Sequence, residues 1–337
     1  MGHEEIYSGL AFTGRELLPE SVDIAVNNGR ITEITQAAGA PKHIIIPKFF
    51  NAHTHLADTV AMDLPVDRSL AELVAPPNGL KHRILAQTKD SDLVSAMRGS
   101  IEFMKMSGTA GFADFREGGT HGVSLLEEAA RGSGMEAVIL GRDGGECAAD
   151  GCGLSSAHGT EEEARLRDKV KKAGGIFAVH AGEKGTDDIE DAFALEPDFI
   201  VHATRFRPQD IRQTADMQIP VVVCPRSNWQ LHVACGPQTP PIRELLDAGC
   251  KVYLGTDNCM FVSPDMCAEC AFVHTVYNLK SEEILRAAVC GAELSSGQWA
   301  IEKGNPARFS VLDIGYAKTW SKDIIASVFS RRAVQIR

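Results

Sequence analysis

The feature that most constrains this chain is a rhythm. From about residue 47 to residue 300, short apolar segments alternate with stretches of helical periodicity. The apolar segments end near His55, Asp114, Arg142, Ser155, His180, His202, Cys224 and Asp257. Eight segments over about 250 residues match the size and repeat of a (β/α)8 TIM-like barrel, an α/β fold in which a helix follows each parallel strand. One intervening helix is sharply bounded. Thr160 stands at its N-cap with Glu163 three residues on, acids fill the first turn, Lys169, Lys171 and Lys172 fill the last, and Gly174 stops it. A doubly wound sheet is the alternative fold, but no Gly-rich phosphate loop follows any segment.

The flanking residues follow another pattern. Val22 to Val26 and Ile31 to Ile34 alternate with period two around Asn27-Asn28-Gly29, which is a hairpin signature. Phe309 to Asp313 and Ile325-Ala326-Ser327-Val328 read as further short strands. The expected division is a barrel over residues 47–302 and a small β-sandwich subdomain built from residues 1–46 and 303–337.

In such a barrel, chemistry collects where strands end. Strand one ends Asn51-Ala52-His53-Thr54-His55, and residues two apart on a strand share a face. Taken alone, the His-x-His pair is a weak metal signal, since such pairs occur by chance and often only hydrogen-bond. The other strand ends add His180, His202 and Asp257. Four histidines and an aspartate closing apolar strands are costly to bury without partners. Imidazole nitrogens with one carboxylate suit a divalent transition metal: zinc, iron or manganese. Glu183 follows His180 by three residues, close enough to reach the mouth without being a ligand.

These segments resemble the amidohydrolase superfamily of metal-dependent hydrolases, and within it the cytosine deaminase-like and chlorohydrolase-like aminohydrolases. The resemblance runs through Pro47 to Leu56, Phe112 to Glu117, Val179 to Glu183, Cys224 to Asn228, Gly255 to Asn258 and Asn305-Pro306-Ala307. It implies His53, His55, His180 and Asp257 as ligands, and His202 as the residue that holds the attacking water or substrate. It also implies Glu183 as proton shuttle and a β subdomain made from both chain ends. Relatives with two ions bridge them by a lysine near the end of strand four. Here that strand reads Gly151-Cys152-Gly153-Leu154-Ser155-Ser156, so a single ion is expected, zinc first.

The expected reaction is hydrolytic deamination of an amino-substituted heterocycle of nucleobase, pterin or triazine type. A divalent ion brings water's pKa to about 7, Glu183 moves protons, Asp257 is ligand and second base, and His202 stabilises developing charge. Two other readings stay open: hydrolysis of a cyclic amide or another leaving group, and a barrel that binds a metal or ligand without turnover. Substrate contacts are expected from Asp114, Arg116, Glu117, Arg142, Ser227 and Asn228. Phe50, Trp229 and Phe261 are candidates to stack on a flat ring. Cys267 and Cys270 have zinc-like spacing but no second pair, so a helix face is the better reading.

Charge narrows the partners. Lys plus Arg number 34 against 45 Asp plus Glu, a net charge of -11, which argues against nucleic acid and anionic membrane surfaces. Nine thinly spread cysteines and an acidic start (Met1 to Glu5) lead to the expectation of a cytoplasmic protein with reduced thiols. A small-molecule substrate is expected, and the short chain leaves room for a homo-oligomer in which a neighbouring subunit supplies a lid.

Overall fold

The computed structural model describes residues 4–39, 41–74, 78–331 and 334–335. Met1 to His3, part of the acidic start read from the sequence, lie outside the described residues.

Among the described residues the strands form two sheets. The first has the order β15-β14-β4-β1-β2-β3, with β1 Glu5–Thr13, β2 Leu18–Asn27, β3 Arg30–Gln36, β4 Ile44–Pro47, β14 Phe309–Asp313 and β15 Val334–Gln335. The β2–β3 hairpin turns at Asn28 and Gly29, with φ of 49° and 72°. Two positive φ values are what a two-residue type I′ turn needs, and Asn-Gly supplies them at low strain. The alternating apolar residues Val22, Ile24 and Val26 are buried with Ala11, Ile31, Ile45, Phe309 and Val311 in a small core of this sheet. Strand β4 lies parallel to β1 and antiparallel to β14, so segments from both ends of the chain meet on it.

The second sheet is the barrel. Its parallel strands are β5 Phe49–His55, β6 Thr109–Arg116, β7 Glu136–Gly141, β8 Gly151–Leu154, β9 Ile176–Ala181, β10 Phe199–His202, β11 Val221–Val223, β12 Val252–Leu254 and β13 Asp257–Asn258. Covered on both faces, they are apolar almost throughout, as Phe177 to Val179, Phe199 to Val201 and Val221 to Val223 show by being fully buried. Strands β12 and β13 are two pieces of the eighth strand: β12 pairs with β11, and β13 closes the ring on β5 with Asp257 opposite Thr54. The break falls at Gly255, where a Cβ would stand 2.7 Å from the Cβ of His53. Only glycine lets strand eight approach strand one so closely. Next to it, the Asn51 amide clamps Thr256, accepting from its N–H at 3.0 Å and donating to its hydroxyl at 2.7 Å.

The helix Glu161–Lys172 begins as its sequence predicts. Thr160 accepts from the Glu163 N–H at 3.2 Å, and Glu163 accepts in return from the Thr160 N–H at 3.1 Å. Ile325 to Val328 correct the reading above. They lie in a helix, Ile324–Ser330, capped by Asp323 accepting from the Ala326 N–H at 2.9 Å. Ile325, Val328 and Phe329 bury into the barrel's core, and that packing overrides the β-branched preference. No helix among the described residues is long and apolar enough to cross a membrane.

Candidate metal centre

His53 and His55 point into the barrel mouth from β5, where His180 from β9, His202 from β10 and Asp257 from β13 meet them. His53 Nε2 lies 3.2 Å from Asp257 Oδ1 and 3.3 Å from His180 Nε2, and His55 Nε2 lies 3.6 Å from the same Asp257 oxygen. Two trios of ligand-type atoms result, His53 with His55 and Asp257, and His53 with His180 and His202, each within 4.8 Å of one another. On an ion with bonds of about 2.0–2.1 Å, tetrahedral neighbours stand roughly 3.3 Å apart, so this spacing fits atoms sharing one cation.

The imidazole tautomers fit too. His180 Nδ1 lies 2.8 Å from the Leu154 carbonyl, and His55 Nδ1 lies 3.1 Å from the Phe115 carbonyl and 3.0 Å from Glu117 Oε1. Carbonyl and carboxylate oxygens only accept, so both Nδ1 atoms carry the proton and both Nε2 atoms turn a lone pair inward. Burial lowers His53 to about 4 and His55 to about 3, and holds His180 well below the ordinary imidazole value. Burial would raise Asp257, but the hydrogen bond and charge of His53, aided by His202 and His55, hold it well below the usual carboxylate range. Neutral imidazoles and one ionised carboxylate therefore converge at neutral pH, a donor set suited to zinc.

His202 is held differently. Its φ is 80°, and those of Ala203 and Asp257 are 50° and 62°, all in the left-handed region that non-glycine residues seldom adopt. The Asn228 amide nitrogen lies 3.4 Å from His202 Nδ1. With that amide donating, the His202 proton sits on Nε2, which faces Glu183 Oε1 at 4.0 Å. Glu183 follows the turn at Gly182, whose φ is 65° and whose N–H is held by Asp188 at 3.0 Å. Burial raises the Glu183 carboxyl above its ordinary value, against the pull of His202. Among the described residues Glu183 accepts no hydrogen bond, although it lines the cavity above the histidines.

That cavity measures about 600 Å³ and is lined by Lys81, Glu117, Arg142, His180, Glu183 and Asp257 among others. Of the residues expected at the substrate, Glu117 and Arg142 line it, while Asp114, Arg116, Ser227 and Asn228 do not. Ser227 donates to Asp257 Oδ2 at 2.6 Å, and Asn228 serves His202. Asp114 accepts from Thr54 and the Leu56 N–H and pairs with Arg116 at 3.3 Å. Arg116 also binds Glu117, at 2.5 Å. Arg142 contrasts with it: among the described residues its guanidinium makes no hydrogen bond, its closest acid being Glu117 at 3.9 Å. Phe50 is buried in the core, and Trp229 donates to the Tyr277 hydroxyl, so neither lines the cavity. Cys267 and Cys270 lie on the helix Met266–Val276, and among the described residues no metal-type trio includes them.

Two residues escaped the sequence reading. Lys81, on the helix Leu80–Gln87, is 4% exposed, and its ammonium stands 2.8 Å from both Asp58 and Glu117. Burial pushes the Asp58 carboxyl up, against the pull of Lys81. The available signal was a count of acids: Asp58, Asp114 and Glu117 crowd one side of the mouth and require cations.

Known proteins resemble this chain in sequence and in fold. The family model described as adenosine deaminase matches residues 149–301. A protein of Methanothermobacter thermautotrophicus, provisionally named an aminohydrolase, is 32% identical over 97% of this chain and 94% of its own length. Among solved structures, atrazine chlorohydrolase from Arthrobacter aurescens, complexed with zinc, aligns with a TM-score of 0.80 at 15% identity, over 98% of this chain and 91% of that one. Guanine deaminase from C. acetobutylicum with bound guanine aligns with a TM-score of 0.75 at 15% identity, over 97% and 95%.

Proposed function

Because this chain belongs to the amidohydrolase superfamily, as a metal-dependent hydrolase acting on carbon–nitrogen bonds, we propose that it deaminates an amino-substituted heterocycle. His53, His55, His180 and Asp257 hold one divalent ion in this reading, zinc foremost, and Glu183 moves the protons. The observation that carries it is Glu183: a carboxylate that accepts no hydrogen bond among the described residues, raised by burial, 4.0 Å from the His202 imidazole at the rim of the ligand cluster. A site that only binds a metal or ligand has no use for such a group. The end of strand four supports one ion, since Gly151–Leu154 carries no lysine and is followed at the cavity wall by Ser155 and Ser156.

A bound divalent ion supplies Lewis acidity, bringing water's pKa to about 7. The chain's residues then divide the work. Glu183 accepts a proton from the attacking water and delivers it to the departing nitrogen, with Asp257 as second acceptor. The Nε2–H of His202 donates to the oxygen as negative charge develops on it. Water adds to the ring carbon, the carbon–nitrogen bond breaks, and ammonia leaves with an oxo-substituted ring behind. Arg142 presents donors alone and binds an acceptor edge of the ring, such as an oxo group beside a ring nitrogen. A cavity of about 600 Å³ has room for such a ring. Flat rings also appear in the names of the structural neighbours, guanine in one and atrazine in the other.

The test is ammonia release by purified protein from aminopurines, aminopyrimidines, aminopterins and aminotriazines, with cyclic amides and chlorinated rings as controls. Elemental analysis accompanies it. Ammonia from amino-substituted rings at one ion per chain is the expected result. Ring opening or chloride release without ammonia overturns the deaminase assignment, and two tightly bound ions per chain overturn the single-ion site.

A further inference from the structure

Taking His55 as a metal ligand, as proposed above, we propose that Glu117 and Lys81 form a positioning relay that fixes His55 and ties it to the helix Leu80–Gln87 at the cavity wall. The relay is a row of close charges, with the His55 N–H itself hydrogen-bonded to the Phe115 carbonyl at 3.1 Å. His55 Nδ1 lies 3.0 Å from Glu117 Oε1, and Lys81 Nζ lies 2.8 Å from the same oxygen. Lys81 Nζ also lies 2.8 Å from Asp58 Oδ2, just beyond the end of β5. Side-chain exposures of 7% for His55, 8% for Glu117, 4% for Lys81 and 0% for Asp58 keep water from competing.

The arrangement exceeds what a structural ion pair needs. Lys81 leaves a surface helix to reach the barrel mouth, and Lys81, His82 and Glu117 all line the substrate-sized cavity. A ligand seated against the helix Leu80–Gln87 therefore touches the element that carries Lys81. Any shift of that helix draws Lys81 from Glu117 and leaves Glu117 between Arg116 and Arg142, which weakens its electrostatic pull on the His55 ring. Partners of this kind orient a ligating imidazole and raise its basicity, and their loss typically weakens metal affinity 10–100-fold.

The experiment compares the wild type with Glu117→Gln, with the double variant Lys81→Met/Asp58→Asn, with Lys81→Arg, and with His55→Ala as control. The double variant removes one charge of each sign, so no uncompensated ion is left buried. Zinc affinity is read by chelator competition, and ligand geometry by the visible spectrum of the cobalt-substituted proteins. Expected results are a 10–100-fold weaker zinc affinity with shifted cobalt bands for Glu117→Gln, and a smaller change of the same kind for the double variant. Lys81→Arg should restore near wild-type bands, and His55→Ala should lose the most affinity. If His55→Ala loses zinc while Glu117→Gln and the double variant keep wild-type affinity and bands, the relay is refuted and the ligand assignment stands. If His55→Ala keeps wild-type affinity, the ligand assignment fails and the relay with it. Should Glu117→Gln not fold, the double variant decides alone.

Discussion

The two sides of the barrel mouth follow opposite rules. On the side of strands one and two, Asp58, Lys81, Glu117, Arg116 and Asp114 each stand within 3.3 Å of an opposite charge, and none is more than 8% exposed. On the side of strands five and six, Glu183 is 23% exposed and His202, the imidazole it faces, is 4.0 Å away. One side sets every charge against an opposite one; the other leaves a carboxylate and the Nε2 of one imidazole facing each other at 4.0 Å. The contrast separates residues that hold the mouth open from residues that can change partner or proton during a reaction.

The contrast breaks most severely at Glu183. Replacing it with Gln preserves shape and removes the ability to take a proton, so kcat should fall by about 10²–10⁴ while zinc content and thermal midpoint stay at wild-type values. Kinetics, elemental analysis and calorimetry on the same preparation check this. The wild-type pH profile sharpens it. A base must be ionised to work, and burial raises the pKa of Glu183 above its ordinary 4.5. Activity should therefore decline as pH falls, with an acid limb in kcat/KM above pH 4.5, and the Gln variant should lack that limb.

On the locked side the penalty moves from chemistry to stability. Lys81→Met leaves Asp58 and Glu117 buried beside one another without their shared cation. Breaking a buried pair in this way costs about 3–5 kcal/mol. Urea unfolding of the metal-free protein should show that loss, and adding Asp58→Asn should recover part of it. A Lys81→Met protein as stable as the wild type would mean that the two sides do not differ in kind.

The same contrast explains what could be read from the sequence. His53, His55, His180, His202 and Asp257 were legible because each closes an apolar strand, where a polar residue stands out. Glu183 was legible by its spacing from His180. Lys81 was not, because a lysine in Leu80-Lys81-His82-Arg83 belongs to an ordinary surface helix until the fold turns that helix toward the mouth. The same limit applied to Ser227 and Asn228. Their place beyond a strand suggested substrate, but the structure turns them toward Asp257 and His202. Ile325 to Val328 misled for a different reason, since β-branched residues prefer strands only until a cap such as Asp323 and tertiary packing favour a helix.

Arg142 and Arg116 carry the contrast onto neighbouring strands. Arg116 is spent on Asp114 and Glu117, whereas among the described residues Arg142 Nε and Nη2 make no hydrogen bond. Arg142→Met should raise KM by roughly 10- to 100-fold for rings that offer an acceptor edge, the value of one hydrogen bond to a charged group. Rings without that edge should show little change. Steady-state kinetics on matched pairs of rings measures the difference.

The smallest effect is expected at Asn228, which supports His202 on the side of strands five and six. Its side chain is fully buried and its amide lies 3.4 Å from His202 Nδ1. An amide donating there leaves Nε2 as the protonated nitrogen, the one that faces Glu183 and the developing charge. Leu has the same branched skeleton as Asn, though bulkier, and donates nothing, so Asn228→Leu frees the imidazole to adopt either tautomer. Half of the molecules in the wrong tautomer would cost only twofold, but loss of the orienting bond itself, worth about 1 kcal/mol, brings the expected fall in kcat to roughly five- to tenfold. Zinc affinity should not move, because His202 in this reading is not a ligand. Nitrogen NMR of labelled histidine reports the tautomer directly. A variant in which Nε2 stays protonated and kcat is unchanged would show that the backbone at His202, with its φ of 80°, orients the ring without help.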